Sequence, residues 1–431
     1  DQGHLDAMYH YGSMLLNGDG VEEDKVEGAR YFLRAANAGH AELACALGYM
    51  LKTGQIINQD KEEAARYFKI AADKGHVIAM KEYSLMNIAG DGIPVNIPEA
   101  LKYLKIGADK GVPEMMHTYA ILNNLDEEEG IPGDKKEAAK YYKMAADKGI
   151  DDAMVSYATM LYNGNGIPSD KNESLKYLKM AVDKGNARAM YLYALMLKDG
   201  EFVAVDKEES AKYMKMAADK GYIDAMNRYA YMRLSEPDFE HDFNEGIKYI
   251  KMAAEKGNPN SMYAYGSFLS IDEQIGDLVG DKKEAAKYFK LAADEGHVEA
   301  MFSYGSMLIK GDGIESDIEE GIKYIKMAAD QGSTESMVLF GRMLYNGNGI
   351  EQNHEEGLRY LKIAADKNDL QGMFLYGYLN FNNDGETEEN IENIKYIKAA
   401  ADGGLIYAMY IYGKCLFKGN GIEPNEEEGA K

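Results

Sequence analysis

Glycine-rich loops are the residues of this sequence that most resemble a ligand-binding motif. NGNGI occurs at Asn163–Ile167 and Asn346–Ile350, with close copies at Asn17–Val21 and Lys418–Ile422. Glycine loops bind phosphate when a strand precedes them and a helix follows, with the spacing G-x-G-x-x-G or G-x-x-x-x-G-K-[ST]. Neither spacing is present and no strand pattern precedes the loops, so a nucleotide site is not predicted.

A cation is the alternative ligand for these loops. The first copy offers oxygen ligands in a short span, at Asn17, Asp19, Glu22, Glu23 and Asp24. The ligand order D-x-[DN]-x-[DN]-G-x5-E of a calcium loop is missing. Since the loop recurs along the chain, a structural role is favoured over a calcium site.

Histidines and cysteines give no catalytic constellation. Four of the eight histidines directly follow a repeated glycine: His4, His40, His76 and His297. A recurring polar residue near a helix start is predicted to be structural. The other four lack recurring acidic or cysteine partners at ligand spacing: His10, His117, His241 and His354. We therefore predict no catalytic residue, no metal site and no cofactor, and a hydrolase is the least favoured class.

The net charge, apolar runs and cysteine content of the chain limit the classes of partner and the environment that can be expected. The formal charge of -24 disfavours direct binding to nucleic acid or to an anionic membrane surface. No run of eighteen apolar residues is present, so no transmembrane span is expected. Cys45 and Cys415, the two cysteines, lie far apart in sequence and are expected to be unbridged. A cytoplasmic, reducing environment fits this cysteine usage.

Internal repeats organise the whole chain. The run A-A-D-K-G recurs at Ala71–Gly75, Ala145–Gly149 and Ala217–Gly221, and most units are 36 residues long. With that glycine as position 1, the units begin at residues 3, 39, 75, 111, 149, 185, 221, 257, 296, 332, 368 and 404. This predicts a single array over residues 1–431. The first residues read as the end of a unit and the last unit stops early, so we expect a segment of a longer protein.

Each unit predicts two helices. Positions 5, 6, 9, 10, 12 and 13 are apolar or small, which is the spacing of one helix face and defines helix A. Position 22 is mostly Asp or Asn and position 25 is Glu, as in Asp170 and Glu173, so a capping box is expected to start helix B. Tyr at position 29 and a small pair such as Ala71-Ala72 then form its buried face. The glycine loops lie between the helices, where a left-handed C-cap and a sharp reversal are expected.

The pattern A-M-x-x-Y-G-x-M-L-x-N-G-x-G-I, followed by D-K-x-E-A-x-K-Y-x-K-M-A-A-D-K-G, resembles the Sel1-like repeat family over the whole chain. The resemblance implies an all-α fold, a right-handed α-solenoid superhelix of about twelve antiparallel helix pairs. It also implies a role as an adaptor that assembles protein complexes. Two departures concern local shape: the family's usual Leu at position 9 is mostly Tyr here, and the units at Gly39, Gly185 and Gly221 lose loop glycines. The paired cysteines of the family's secreted, penicillin-binding branch are missing.

Charge also follows the repeat. Position 28 is Lys or Arg and position 31 is mostly Lys, for example Lys69 and Lys143, which predicts a basic stripe on an exposed face of helix B. A solvated surface supported by Glu-to-Lys pairs along each helix is the favoured interpretation.

The exposed side of helix A is the candidate functional surface. By analogy with other helix-pair solenoids, positions 4, 7, 11 and 14 should face the concave groove. Several of them are aromatic, and exposed aromatics often anchor a protein partner. The candidate partner-binding residues are Tyr191, Tyr231, Tyr263, Phe302, Phe374, Tyr378, Tyr407 and Tyr410. Phe374, Tyr378 and Tyr410 are expected to form one ledge.

The sequence therefore predicts a non-enzymatic scaffold that holds a partner peptide or helix in its groove. The principal alternative is a regulatory or spacer array attached to a catalytic domain such as a protein kinase. Partners are expected to be proteins or peptides, without direct contact to nucleic acid or membrane.

Overall fold

The fold was analysed in a computed structural model that describes residues 2–125, 133–200, 203–237, 239–274, 276–381, 388–419 and 422–429. In these ranges the regular elements are 24 α-helices. The chain divides into two compact units, Asp1–Tyr213 and Met214–Lys431. None of the described helices is long and apolar enough to cross a membrane.

The first unit begins with eleven helices, in which odd numbers are helices A and even numbers are helices B. They are α1 (Gln2–Asn17), α2 (Lys25–Asn37), α3 (Ala41–Thr53), α4 (Lys61–Asp73), α5 (Val77–Ala89), α6 (Ile97–Asp109), α7 (Pro113–Asn123), α8 (Lys135–Asp147), α9 (Asp151–Asn163), α10 (Lys171–Asp183) and α11 (Ala187–Asp199). The boundary between the units falls within α12 (Lys207–Asp219).

The second unit continues the same alternation. Its helices are α13 (Ile223–Leu234), α14 (Phe243–Glu255), α15 (Pro259–Leu269), α16 (Lys282–Asp294), α17 (Val298–Lys310), α18 (Ile318–Asp330), α19 (Thr334–Asn346), α20 (His354–Asp366), α21 (Leu370–Asn380), α22 (Glu388–Asp402), α23 (Ile406–Lys418) and α24 (Glu426–Gly429). Consecutive helices pack on one another, as α17 does on α18 and α18 on α19. The predicted all-α fold of antiparallel helix pairs is confirmed.

Small residues on helix B let neighbouring helices approach closely. Ala71 and Ala72 of α4 are fully buried, and the equivalent alanines of the other described B helices are buried in the same way. Helix A supplies larger apolar groups, and Met154 and Met160 of α9 are buried as core residues. The predicted packing role of the small pairs is confirmed.

The glycine loops end helix A, as predicted. Gly164 adopts a left-handed conformation with φ of 69°, and its backbone N–H donates to the carbonyl of Met160. Gly166 also has a positive φ, of 75°. A Cβ atom on Gly166 would lie 2.6 Å from the carbonyl carbon of Lys135 in the preceding repeat. The second glycine therefore permits contact between repeats as well as the reversal of the chain.

Only half of the predicted capping box forms. Asp170 accepts a hydrogen bond of 2.9 Å from the backbone N–H of Glu173, as a helix N-cap should. The backbone N–H of Asp170 donates instead to the carbonyl of Leu161 on helix A, at 3.1 Å. Because that donor is already satisfied, the Glu173 side chain is free to bind elsewhere. It accepts a hydrogen bond of 2.7 Å from Lys143 of the preceding repeat.

The predicted Glu-to-Lys pairs along helix B form at position 28, as between Glu320 and Lys323 at 3.2 Å, and a repeated polar cluster around position 31 also joins neighbouring B helices. Lys143 pairs with Glu173 of the next repeat, and its ammonium lies 5.4 Å from the ring centre of Tyr157. The Tyr157 ring meets that of Tyr177 edge to face, with centroids 4.9 Å apart. The Tyr177 hydroxyl donates to Asp147 at 2.6 Å. Lysines at position 31 such as Lys143 therefore bridge repeats, whereas others, such as Lys326, pair with an acidic residue of their own helix. Tyr at position 9, where the family usually has Leu, belongs to this cluster.

Candidate functional site

A cleft of about 800 Å³ opens in the second unit along helices A. We name it the α17–α21 cleft, because residues of α17, α19 and the start of α21 line it. It includes unit positions 7, 11 and 14 of α17 and positions 4, 7 and 11 of α19, which are Phe302, Ser306, Ile309, Glu335, Val338 and Arg342. Positions that the repeat pattern assigns to the exposed side of helix A thus meet in one cavity.

The floor of the cleft is apolar. Val338 is buried, whereas Phe302, Ile309 and Leu339 are half-buried and pack on the core cluster of which Val338 is a member. Leu370, at the start of α21, closes the floor on the far side. Partly exposed apolar side chains on a packed base give a preformed surface for an apolar ligand group.

The rim of the cleft is polar and contains two cations. Lys310, the last residue of α17, and Arg342 of α19 are both exposed. Neither makes an ion pair or hydrogen bond with any residue in the described part of the chain. Glu335 lies at the amino end of α19, and Asp369 caps α21 by accepting a hydrogen bond from the Gly372 N–H at 2.7 Å. The basic and acidic groups therefore occupy opposite ends of these helices.

Asn368, on the rim of the cleft, has an unusual backbone conformation. Its φ is 66°, and it is the one non-glycine residue with positive φ in the described ranges. Other repeats carry glycine at this position, for example Gly332 with φ of 105°. Asn tolerates the left-handed region better than most residues, but only glycine adopts it without steric cost. The result is an exposed carboxamide on the cleft where other repeats have no side chain.

Of the eight predicted residues, Phe302 is the one that lines this cleft. Tyr191 is half-buried on α11. Tyr231 is 52% exposed, and the Arg228 guanidinium lies 5.2 Å from its ring centre. Tyr263 packs between repeats, because its ring stacks on His297 with centroids 4.7 Å apart. The four remaining aromatics lie together near the carboxyl end of the second unit.

The predicted ledge differs from its expected form. Phe374 is 8% exposed, because its ring enters a small core cluster with Ala400, Ala401 and Ala408. The expectation that Phe374 is an exposed anchor is therefore wrong: alanines of the adjoining helices leave room for its ring. The Phe374 ring stacks on that of Tyr378 at 5.4 Å.

The exposed aromatic surface here consists of Tyr378, Tyr407 and Tyr410, of which Tyr378 and Tyr410 belong to the predicted ledge and Tyr407 is an addition. Their exposed fractions are 46%, 65% and 64%. Tyr407 meets the edge of Phe374 at 5.7 Å, and Tyr410 lies 6.5 Å from Tyr407. Three exposed tyrosines thus lie around one buried phenylalanine.

The first unit has a cavity of different chemistry. A pocket of about 350 Å³ is lined by polar residues of α7, α9 and α11, including His117, Asp152 and Arg188. Burial lowers the pKa of His117 because it disfavours the imidazolium, although Asp152 and Asp151 partly oppose this. The same helix face is therefore polar here and apolar in the α17–α21 cleft.

Three histidines at position 2 act as helix caps, which confirms their predicted structural role. The Nδ1 atoms of His40, His76 and His297 accept hydrogen bonds from backbone N–H groups of the following turn, at 3.2–3.3 Å. Within the described ranges, no three His, Cys, Asp or Glu side chains are arranged to hold a metal ion.

Both cysteines are buried free thiols. Burial, assisted by the charge of Glu82, raises the pKa of Cys45 to about 11, so its reactive thiolate is suppressed at neutral pH. Burial also raises the pKa of Cys415. The charge of Lys414 partly opposes the shift at Cys415, but burial dominates at both thiols and disfavours the reactive thiolate.

Lys310, Arg342 and Asn368 were not predicted as site residues, because the prediction rested on aromatic side chains at the exposed helix positions. A signal was present, since Asn368 interrupts the glycine at position 1 and Arg342 occupies groove position 11. Two replacements of this kind on neighbouring helices are visible in an alignment of the repeats with one another.

The family model described as the Sel1 repeat matches eleven segments of the chain. They are residues 5–40, 41–76, 77–112, 123–150, 151–186, 187–222, 223–258, 259–297, 298–333, 334–369 and 406–431. A search of curated proteins by sequence found no match.

Solved structures with similar folds include a protective antigen of uropathogenic Escherichia coli strains that displays an SLR fold. It is 22% identical, the match covers 93% of this chain and 85% of that chain, and the TM-score is 0.63. A Sel1 repeat protein from Oxalobacter formigenes is 22% identical over 80% of this chain and 87% of that chain, with a TM-score of 0.48. The first similarity supports the fold assigned from the helices.

Proposed function

Because this chain belongs to the Sel1 repeat family, we propose that it is a non-enzymatic scaffold that binds a segment of a partner protein along its helices A. The observation that carries the proposal is the α17–α21 cleft. A cavity of about 800 Å³ with an apolar floor and a polar rim has the size and composition of a site for a few side chains of a peptide.

The chemistry of the described residues supports binding over catalysis. The histidines at position 2 are used as caps, and burial raises the pKa of both thiols. The carboxylates at positions 25 and 35 bind lysines and tyrosines of adjoining repeats, as Glu173 and Asp147 do. On the rim of the cleft, Lys310 and Arg342 remain available to a ligand.

The exposed tyrosines of the ledge are a second proposed contact surface. Tyr378, Tyr407 and Tyr410 offer large apolar faces with polar tips, a combination that is frequent at protein interfaces. The floor of the cleft is packed on a core cluster, whereas the tyrosines of the ledge are largely exposed and Tyr410 borders a separate depression of about 840 Å³. We therefore assign the principal site to the cleft.

A selection from a display library of random 12-residue peptides tests this function. The full chain is immobilised, enriched peptides are synthesised with a fluorescent label, and dissociation constants are measured by anisotropy. Replacement of Leu339 by Ala removes apolar contact area from the cleft and should weaken binding about tenfold. Met327→Ala is the matched control, because Met327 is a partly exposed methionine on helix B, away from the cleft lining.

Melting curves for both variants separate loss of binding from loss of folding. The proposal is supported if Leu339→Ala weakens binding of the selected peptide and Met327→Ala does not, while both variants remain folded. It is contradicted if no peptide is enriched, or if the two variants bind equally well.

A further inference from the structure

We propose that the α17–α21 cleft selects peptides in which an acidic residue adjoins an apolar anchor, with the acidic residue at the end formed by Lys310 and Arg342. This inference rests on the proposed function and specifies the chemistry of its ligand. Three independent observations carry it: two unpaired cations, their placement relative to the acidic groups, and the backbone of Asn368.

The two cations border the cleft without an acidic partner among the described residues, in a chain whose formal charge is -24. On the B helices of the same repeats, Lys290 binds Asp294 at 2.9 Å and Lys326 binds Asp330 at 3.0 Å. Lys310 and Arg342 have no such partner in the described part of the chain, although both border a cavity. An unpaired guanidinium beside an apolar floor is suited to bind a carboxylate with charge-assisted hydrogen bonds.

The acidic groups of the rim do not cancel this preference at the basic end. Glu335 is the second residue of α19, and Arg342 lies two helical turns further along the same helix. Asp369 precedes α21 and is occupied as its N-cap. Since α17 and α19 are equivalent helices of successive repeats, their carboxyl ends lie on the same side of the cleft. The cleft therefore has a basic end and an acidic end, which sets the direction of a bound peptide.

Asn368 supplies groups for the main chain of the ligand. Its carboxamide can donate and accept hydrogen bonds, which matches the N–H and C=O of an extended peptide. The left-handed conformation is strained for this residue relative to glycine, and residues held in such conformations concentrate at functional sites. Gln371 places a second exposed carboxamide on the lining of the same cleft.

The apolar floor of the cleft is the proposed binding surface for the apolar anchor of the peptide. Phe302 and Leu339 are half-buried and immobilised by the core beneath them, so an aliphatic or aromatic side chain finds a surface with little conformational freedom left to lose. The Arg342 side chain lies one helical turn from Leu339, at a spacing of three residues. An anchor on Leu339 and a carboxylate on Arg342 are therefore expected to be close together in the peptide.

The test uses the full chain and the peptide with the highest affinity in the random 12-residue selection. Its acidic residues are exchanged one at a time for the corresponding amides, and the chain is changed at Arg342→Gln. We expect one acid-to-amide exchange and the Arg342→Gln change each to weaken binding about tenfold. When the peptide exchange and Arg342→Gln are combined, the loss of affinity should be little greater than for either change alone, because both remove the same interaction.

Two further variants make the result specific. Arg359→Gln is the control, because Arg359 is an exposed arginine of helix α20 whose neighbour is Glu356, at 3.7 Å, and it does not line the cleft. Asn368→Gly restores the residue found in the other repeats. This substitution should raise or preserve thermal stability. It should also weaken peptide binding about threefold or more, because the carboxamide is lost.

The outcomes distinguish the inference from the proposed function. Equal binding by Arg342→Gln and Arg359→Gln, or equal binding of the acid and amide peptides, would overturn the inference. If Leu339→Ala still weakened such a peptide, the proposed function would stand. Absence of any enriched peptide would overturn both. Coupling between one peptide carboxylate and Arg342, absent for Arg359, would establish the inference.

Discussion

Removal of the Tyr177 hydroxyl tests how the repeats are held together. In the Tyr177→Phe variant the ring remains, and the hydrogen bond of 2.6 Å to Asp147 in the preceding repeat is lost. Tyr177 is 4% exposed, whereas Asp147 is exposed. The same environment raises the pKa of Tyr177 to about 12, first through burial and then through the hydrogen bond to Asp147. The hydroxyl is therefore protonated and donating at neutral pH.

The expected magnitude follows from the acceptor. A hydrogen bond to a charged group contributes about 1.5–3 kcal/mol, and the loss falls toward the lower end when water can replace the donor. Because Asp147 is exposed, water will hydrate its carboxylate in the variant. We therefore expect a local destabilisation of about 1.5 kcal/mol, which makes amide exchange roughly tenfold faster where opening is local.

Native-state hydrogen exchange followed by mass spectrometry is the appropriate assay. In a repeat protein each repeat contacts its neighbours, so the faster exchange should be confined to α8, α9 and α10. Tyr288→Phe is the matched control: Tyr288 is a buried tyrosine at the same unit position, with no hydrogen bond from its hydroxyl in the described structure. Equal effects of the two substitutions, or faster exchange in all helices of the first unit, would refute the reasoning.

Three further substitutions test the caps, the loops and the ledge. Burial lowers the pKa of His297, and its Nδ1 accepts the cap hydrogen bond only when the ring is neutral. The stabilisation from this cap is therefore complete above about pH 6.5 and is lost as pH falls through the lowered pKa. His297→Asn should reduce the acid sensitivity of thermal unfolding, and an unchanged pH profile would contradict this. In urea unfolding, Gly166→Ala should destabilise the protein by at least about 1 kcal/mol more than Gly164→Ala, because only Gly166→Ala places a Cβ atom against the backbone of the preceding repeat. Equal losses of unfolding free energy would exclude that contact. Phe374→Ala should cost about 3 kcal/mol and Tyr378→Ala less than about 1 kcal/mol by thermal melting, and the reverse order would show that Phe374 is not a core residue.

The sequence contained most of the fold, because the helices, caps and loop glycines depend on local preferences repeated in every unit. Asp170 and Gly164 could be assigned their roles from neighbours a few residues away in the chain. The partner of Glu173 could not, because its choice depends on Leu161 occupying the N–H of Asp170 and on Lys143 lying within reach. Both conditions arise only when the helices pack.

The candidate site was predicted at the level of a surface. Repeat positions 4, 7, 11 and 14 identified the helix face, and Phe302 was correctly placed on it. The burial of Phe374 was not predicted, because it depends on alanines of the adjoining helices that are distant in sequence. The unpaired state of Arg342 was likewise invisible, since an ion pair depends on which side chains lie within about 4 Å.

Site-specific photocrosslinking tests the central claim most directly. A benzophenone amino acid at position 339, on the floor of the α17–α21 cleft, is irradiated with a labelled peptide from the random selection, and the same group at position 327 on helix B is the control. Binding in the cleft predicts a strong crosslink from position 339 that excess unlabelled peptide abolishes, and little from position 327. Equal or stronger crosslinking from position 327, with both variants folded, would contradict the account.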